Sequence, residues 1–281
     1  MIKRSGVEVM NERTKNVTLA KATLEILKQK QYTSLSGNVV DISGALDAAI
    51  EGTVYYPEGV TMNFPDQSPI HPQLEVTGET TAIAGARLRA SGKDVVALNF
   101  ASARNQGGGF LSGALAQEED LCRCSGLYAC IRTKPLFYNT NILCDNNFYT
   151  DGVIYSPKVP FFRDEHYMLL EQPFDLSIIS APAPNVTSMK GVVDEDVLIE
   201  KLLTRAIKVL QVAHLHGHKH LVLGAWGCGA FGNNPKLVAT VFVEALRIVP
   251  AFETVCFAVY DTRTPPVLYE AFQQICGHVS W

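Results

Sequence analysis

The run Val95-Val96-Ala97-Leu98 constrains this chain more than any other stretch. Continuous apolar residues between Asp94 and Asn99 read as a strand covered on both faces. The strand runs into the turn Phe100-Ala101-Ser102-Ala103-Arg104-Asn105-Gln106, then Gly107-Gly108-Gly109, and a short loop later Gln117-Glu118-Glu119. Three glycines bring backbone N–H groups close to a ligand, and such groups suit phosphate oxygens. Two carboxylates one loop later place acid chemistry beside the same cleft. The segment points to an enzyme acting on a nucleotide-like substrate.

The rest of the chain supplies the covering layers. Apolar periodicity predicts helices over 11–31, 44–50, 80–91, 115–131, 194–216, 235–248 and 266–275. Strands are expected over 53–56, 74–76, 94–99, 152–156, 174–180, 220–226 and 254–260. Alternation of strands and helices after residue 94 favours an α/β protein, a three-layer α/β/α sandwich. Residues 1–90 read as an N-terminal helical accessory segment packed on a core of residues 91–281. A net charge of −4 argues against a general nucleic-acid binder, so an anionic ligand must be met by local backbone dipoles. The seven cysteines are scattered, and Cys122-Arg123-Cys124 has the wrong spacing for a zinc knuckle. Reduced thiols in a cytoplasmic protein follow. The start, Met1-Ile2-Lys3-Arg4-Ser5, leads into no apolar run of a signal peptide, and no stretch reaches membrane-spanning length.

A second glycine-rich turn strengthens the phosphate reading. The strand 221–226 enters Gly227-Cys228-Gly229-Ala230-Phe231-Gly232-Asn233-Asn234, and Pro235 opens a helix. N–H groups at such a turn can face an anion, so two loops at strand ends suit a diphosphate. Phe231, a bulky ring among glycines, either folds under the loop or packs on a sugar or base. Glu118 and Glu119 read as a solvated helix face or as acid chemistry. Neighbours on a helix point about 100° apart, so the pair is not expected to flank one bond from opposite sides. His214, His216, His218 and His220 cross a helix end near Gly217 and do not suggest a shared metal site. Cys228 is a weak candidate nucleophile without a partner histidine, and Tyr260 to Arg263 lie on the expected rim.

Gly107-Gly108-Gly109, seven intervening residues and Gln117-Glu118-Glu119 resemble the signature of poly(ADP-ribose) glycohydrolases. The preceding 99–105 and the later Gly227-Cys228-Gly229-Ala230-Phe231-Gly232-Asn233 match the same family, and residues 12–32 resemble the first helix of its short bacterial form. The resemblance implies a macrodomain-like fold with a mixed sheet. It implies hydrolysis of ribose–ribose bonds in poly(ADP-ribose), from chain ends, without metal or other cofactor. Glu119 would then protonate the leaving ribose oxygen and Glu118 orient ribose hydroxyls. Asn105 would contact the distal ribose, with Gln117 beside the carboxylates. Gly107, Gly108, Gly109, Gly227, Gly229, Ala230, Gly232 and Asn233 would form the diphosphate-binding segments, with Phe231 beside the distal ribose. A glutamate in an apolar-walled cleft has its pKa raised and can carry a proton near neutrality.

The partners implied are poly(ADP-ribose), ADP-ribose and ADP-ribosylated proteins in the DNA damage response, with no direct nucleic acid, no membrane, and a monomeric chain. Two alternatives stay open on the residues alone: a macrodomain that binds ADP-ribose without turnover, and a hydrolase of mono-ADP-ribosylated proteins.

Overall fold

The computed structural model describes residues 11–60, 62, 68–144, 146–191 and 193–281. The first five residues, on which the signal-peptide reading rests, lie outside the described residues.

The chain begins with α1 (Glu12–Gln29), capped by Asn11, whose side chain accepts the Thr14 N–H at 2.8 Å. A small hairpin of β1 (Gln31–Thr33) and β2 (Val39–Asp41) follows. Next come α2 (Ser43–Glu51), β3 (Val54–Tyr56), β4 (Gln73–Thr77), α3 (Thr81–Ala90) and β5 (Val95–Phe100). The segment after β5 carries α4 (Gln117–Cys124), α5 (Leu127–Ile131) and α6 (Pro135–Leu143). Then follow the long hairpin β6 (Val153–Arg163) and β7 (Leu169–Ala181), then α7 (Glu195–Leu215), β8 (His220–Leu223), α8 (Pro235–Ile248), β9 (Thr254–Ala258) and α9 (Val267–Cys276).

Seven strands form one mixed sheet in the order β3-β6-β7-β5-β8-β9-β4. The first three pair antiparallel, and β7, β5, β8, β9 and β4 run parallel. β5 is central and buried, as its apolar run predicts. Because side chains alternate along a strand, Val96 and Leu98 join the core beneath α7 and α8. Val95 and Ala97 join the core beneath α3 to α6. Both faces are covered, giving the expected α/β/α sandwich.

Residues 1–90 are woven into the sandwich more deeply than an accessory layer. β3 and β4 are its two edge strands, and Ala84 and Leu88 of α3 lie in the core against β5. The helix expected over 115–131 is broken at Ser125. Its backbone is extended, it bridges to Phe161, and its hydroxyl donates to Leu121 O at 2.7 Å. The β6–β7 hairpin extends well beyond 152–156 and 174–180. Pro157 and Pro160 disguise β6 in the sequence, and a register shift between Ser156 and Val159 accommodates them. The β1–β2 hairpin and α6 have no counterpart in the periodicity.

α1 docks on the turn that precedes the paired glutamates. Gly113 adopts φ +79°, and a Cβ there would stand 2.4 Å from Arg13 O; Arg13 Nε donates to Ser112 O at 3.0 Å. Gly113→Ala is therefore expected to cost about 2 kcal/mol, read as a lowered midpoint in urea. An unchanged midpoint would show that α1 does not sit against this turn.

Candidate active site

Every parallel strand ends on the same side of the sheet, where open α/β sheets collect ligands. A cavity of about 760 Å³ lies there, walled by Phe100 at the end of β5, Ala225 beyond β8, Val259 beyond β9 and Thr81 of α3. Gly227, Gly229, Ala230 and Phe231 line it from the second glycine turn, and Leu115, Ala116 and Gln117 from the approach to α4. Glu118, Glu119 and Gly107–Gly109 are not on the wall itself; the two glutamates lie between Gln117 and Asp120 of α4, which are.

The two glutamates occupy the first turn of α4, where a helix N-terminus favours carboxylates. Both are nonetheless buried, at 3% and 7% exposure, so neither belongs to a solvated face. Glu118 turns toward the end of β5. Its Oε2 accepts the Ser102 N–H at 2.8 Å, and its Oε1 accepts from Asn99 Nδ2 at 3.2 Å. Asn99 is in turn fixed by Ser180 Oγ at 2.9 Å. Burial pushes the Glu118 carboxyl up to about 8, against the lowering effect of the Ser102 and Asn99 bonds, and the neighbouring Glu119 adds to the rise. Glu119 turns the other way. Its Oε1 accepts the Gly109 N–H at 2.7 Å, and no described residue donates to its Oε2.

Gly108 stands between them. It adopts φ +59°, and a Cβ there would lie 2.5 Å from Glu119 Oε1 and 3.0 Å from Glu118 Oε2. The adjacent acids thus converge on one backbone turn without opposing each other across a bond, as the 100° offset requires. Gly107 is closed off by the Tyr128 ring, 2.9 Å from its would-be Cβ. Two of the N–H groups of the first glycine turn are engaged within the protein. Gly108 N–H is bonded to Asn105 O, and Gly109 N–H holds Glu119. Its glycines make room for carboxylates.

The second turn is the open one. Gly232 N–H bonds Gly229 O and Asn233 N–H bonds Gly227 O. The N–H groups of Gly229, Ala230 and Phe231 donate to no described residue. Gly229 and Ala230 are exposed at the cavity. Phe231 is half-buried on the cavity wall, tilted against Tyr149 with centroids 6.3 Å apart.

Other predicted residues have different tasks. The Gln117 side chain stitches elements together. Its Oε1 accepts Phe100 N–H at 2.8 Å, and its Nε2 donates to Leu98 O at 2.7 Å and Thr81 Oγ1 at 3.0 Å. Asn233 is buried under its loop, donating to Pro184 O at 2.8 Å and Gly227 O at 3.1 Å. Asn105 is exposed at the head of the first turn. Burial pushes the Cys228 thiol up to about 12, which removes it as a nucleophile. His216 and His218 sit at the opposite end of the sheet, bonded to Tyr56 and Tyr155 hydroxyls at 2.9 and 2.8 Å. Tyr260 and Thr262 line the rim, whereas Asp261 pairs with Arg263 and the Leu268 N–H. Sequence reasoning missed Asn99 and Ser102 as supports of Glu118, and Tyr149 as a neighbour of Phe231.

The comparisons with known proteins agree with this geometry. Residues 20–164, more than half of the chain, match the microbial-type PARG catalytic domain, PARG being poly(ADP-ribose) glycohydrolase. The poly(ADP-ribose) glycohydrolase from Thermomonospora curvata is 42% identical, with a TM-score of 0.86 over 93% of this chain and 99% of its own. The same enzyme bound to the inhibitor ADP-HPD matches at 41% identity, TM-score 0.86 and the same coverage. The enzyme from Deinococcus radiodurans in complex with ADP-ribose is 40% identical, with a TM-score of 0.72 over 82% of this chain and 95% of its own. No curated protein matches the chain. The mixed sheet, the glycine turn wrapped around two buried glutamates and these likenesses together place the chain in the microbial-type poly(ADP-ribose) glycohydrolase family, a family of glycoside hydrolases.

Proposed function

We propose that this chain hydrolyses the ribose–ribose O-glycosidic bonds of poly(ADP-ribose) and releases ADP-ribose from chain ends, with Glu119 as general acid. The observation that carries the reading is the Glu119 carboxyl: buried in α4 between cavity-lining neighbours, fixed through one oxygen by the Gly109 N–H, with no described residue donating to the other. The diphosphate is assigned to the three unpaired N–H groups of Gly229, Ala230 and Phe231. The Phe231 ring packs on the distal ribose. Glu12 of α1 walls the cavity on one side, which suits a chain end better than a through-running polymer.

The chemistry follows. As the bond from the anomeric carbon to the leaving ribose oxygen breaks, that oxygen takes the Glu119 proton, because a sugar hydroxyl is a poor leaving group. The carbon passes through an oxocarbenium-like state. Water adds to it and returns a proton to the Glu119 carboxylate. Glu118, neutral up to about pH 8, can donate as well as accept, as ribose hydroxyls require. Asn105 reaches the distal ribose from the first turn, and Gln117 acts by holding α4 against β5. In the cell the substrates are ADP-ribosylated proteins of the DNA damage response in the cytoplasm, a reducing compartment that suits seven free cysteines.

Glu119→Gln is expected to lower kcat on poly(ADP-ribose) by roughly 10³-fold while calorimetric binding of ADP-ribose persists. Turnover within tenfold of the native rate would exclude this glutamate as the acid. Release of ADP-ribose from mono-modified protein but not from polymer would replace the proposed substrate.

The Glu118 proton also has a thermodynamic signature. The folded chain keeps it to about pH 8, whereas the unfolded chain releases it near 4.5, the ordinary value of a glutamate. Folded stability contributed by this group is therefore present below that window and lost as pH rises through it. In Glu118→Gln the Tm relative to native should become more favourable by roughly 5 °C between pH 5 and pH 9, followed by calorimetry. A Tm difference that does not change with pH would contradict the buried neutral acid.

A further inference from the structure

Tyr149 holds a backbone conformation that a side chain disfavours. Its φ is +63°, in the left-handed region that glycine or asparagine normally fills. A tyrosine kept there implies that its ring does something the strain is set against. The ring is buried, at 7% exposure, and touches two segments of the site at once. Phe231 of the open glycine turn lies 6.3 Å away between centroids. On the turn that precedes Gly107, the Arg104 guanidinium carbon lies 5.3 Å from the centre of the same ring.

The conformation is imposed from behind by α7. Arg205, with no exposed surface, sends Nη2 to Phe148 O at 2.8 Å and to Tyr149 O at 3.3 Å. Its Nη1 donates to Pro182 O at 2.6 Å, where the chain leaves β7. Asp151 Oδ1 accepts from Arg205 Nε and Nη2 at 3.1 and 2.9 Å, which balances the buried charge. The segment beyond Pro182 then supports the Phe231 turn: Thr187 N–H donates to Phe231 O at 3.2 Å, and Asn233 holds Pro184 O. One buried guanidinium thus fixes the carbonyls of Phe148, Tyr149 and Pro182 together.

We propose that Tyr149, locked by the Arg205–Asp151 pair, is a positioning residue that sets the Phe231 ring against the distal ribose and ties it to the first glycine turn through Arg104. The proposal rests on the reading of Phe231 as the ribose-packing ring. Tyr149 reaches no reacting atom; it narrows the positions open to Phe231 before substrate arrives, which lowers the ordering needed on binding.

Tyr149→Gly is the sharp test, because glycine adopts the same φ without strain while the ring is lost. Tyr149→Phe keeps the ring and serves as the conservative control. Each is measured alone and with Phe231→Ala, for kcat and KM on poly(ADP-ribose) and for the Kd of ADP-ribose by calorimetry. Tyr149→Gly is expected to lower kcat/KM about tenfold and to weaken ADP-ribose binding several-fold, with Tyr149→Phe near native. In the Phe231→Ala background the same replacement should change neither value by more than about twofold, since coupled residues are not additive. Effects that multiply in the double variant, or a Tyr149→Gly enzyme equal to native, would overturn the proposal. The ADP-ribose arm reports the coupling even for a native chain that releases nothing from polymer, so failure of the substrate reading is distinguishable from failure of this one.

Discussion

Two carboxylates packed around a backbone with no side chain are the constraint from which the rest of the site follows. Gly108 leaves space that any other residue would fill, and Glu118 and Glu119 close on it from the start of one helix. Burying acids at the end of an apolar strand is costly unless each oxygen has a donor or the group stays neutral. The two acids meet this cost unequally. Glu119 is held by a backbone N–H. Glu118 is held by Ser102 and Asn99 and, despite those bonds, keeps its proton to about pH 8. The central strand therefore changes character at its last residues, from Val95–Leu98 packed on both faces to Asn99, whose amide joins Ser180 to Glu118.

The two glycine turns divide the work. The first turns its hydrogen bonds inward, onto Asn105 and Glu119, and its glycines serve close packing. The second closes its base with the Gly232 and Asn233 bonds, and its three consecutive N–H groups from Gly229 to Phe231 donate to no described residue. The carboxylates are thus buried behind the cavity, whereas backbone N–H groups without a described partner stand on its wall. Such groups suit an anion even in a chain of net charge −4.

Much of this was readable from residues alone, and the limits have physical causes. The run 95–98 announced a strand covered twice because burial on both faces leaves a continuous apolar pattern. α7 is legible through its apolar periodicity. The β6–β7 hairpin was cut short because Pro157 and Pro160 look like strand breakers, and only the register shift reveals how they fit. The break at Ser125 depends on a bridge to Phe161 far along the chain. Within the site, residue types and spacing located both glycine turns and both acids. They do not assign hydrogen bonds, so the inward bonds of Gly108 and Gly109 and the stitching role of Gln117 are legible only in the fold. The support of Phe231 was out of reach, because Tyr149, Pro182 and Arg205 meet only in the folded chain.

The neutral Glu118 shows why such a site does not optimise stability. A glutamine or an apolar residue would avoid a buried acid whose proton is lost as pH rises through about 8. What the acid offers instead is a group that can both donate and accept, with no counter-charge needed to hold it there. A charged Glu118 would share the Gly108 turn with Glu119 at close range, and this proximity adds to the burial that raises the Glu118 pKa. The stability forgone at Glu118 and the chemistry assigned to Glu119 are therefore two consequences of the same packing around one glycine.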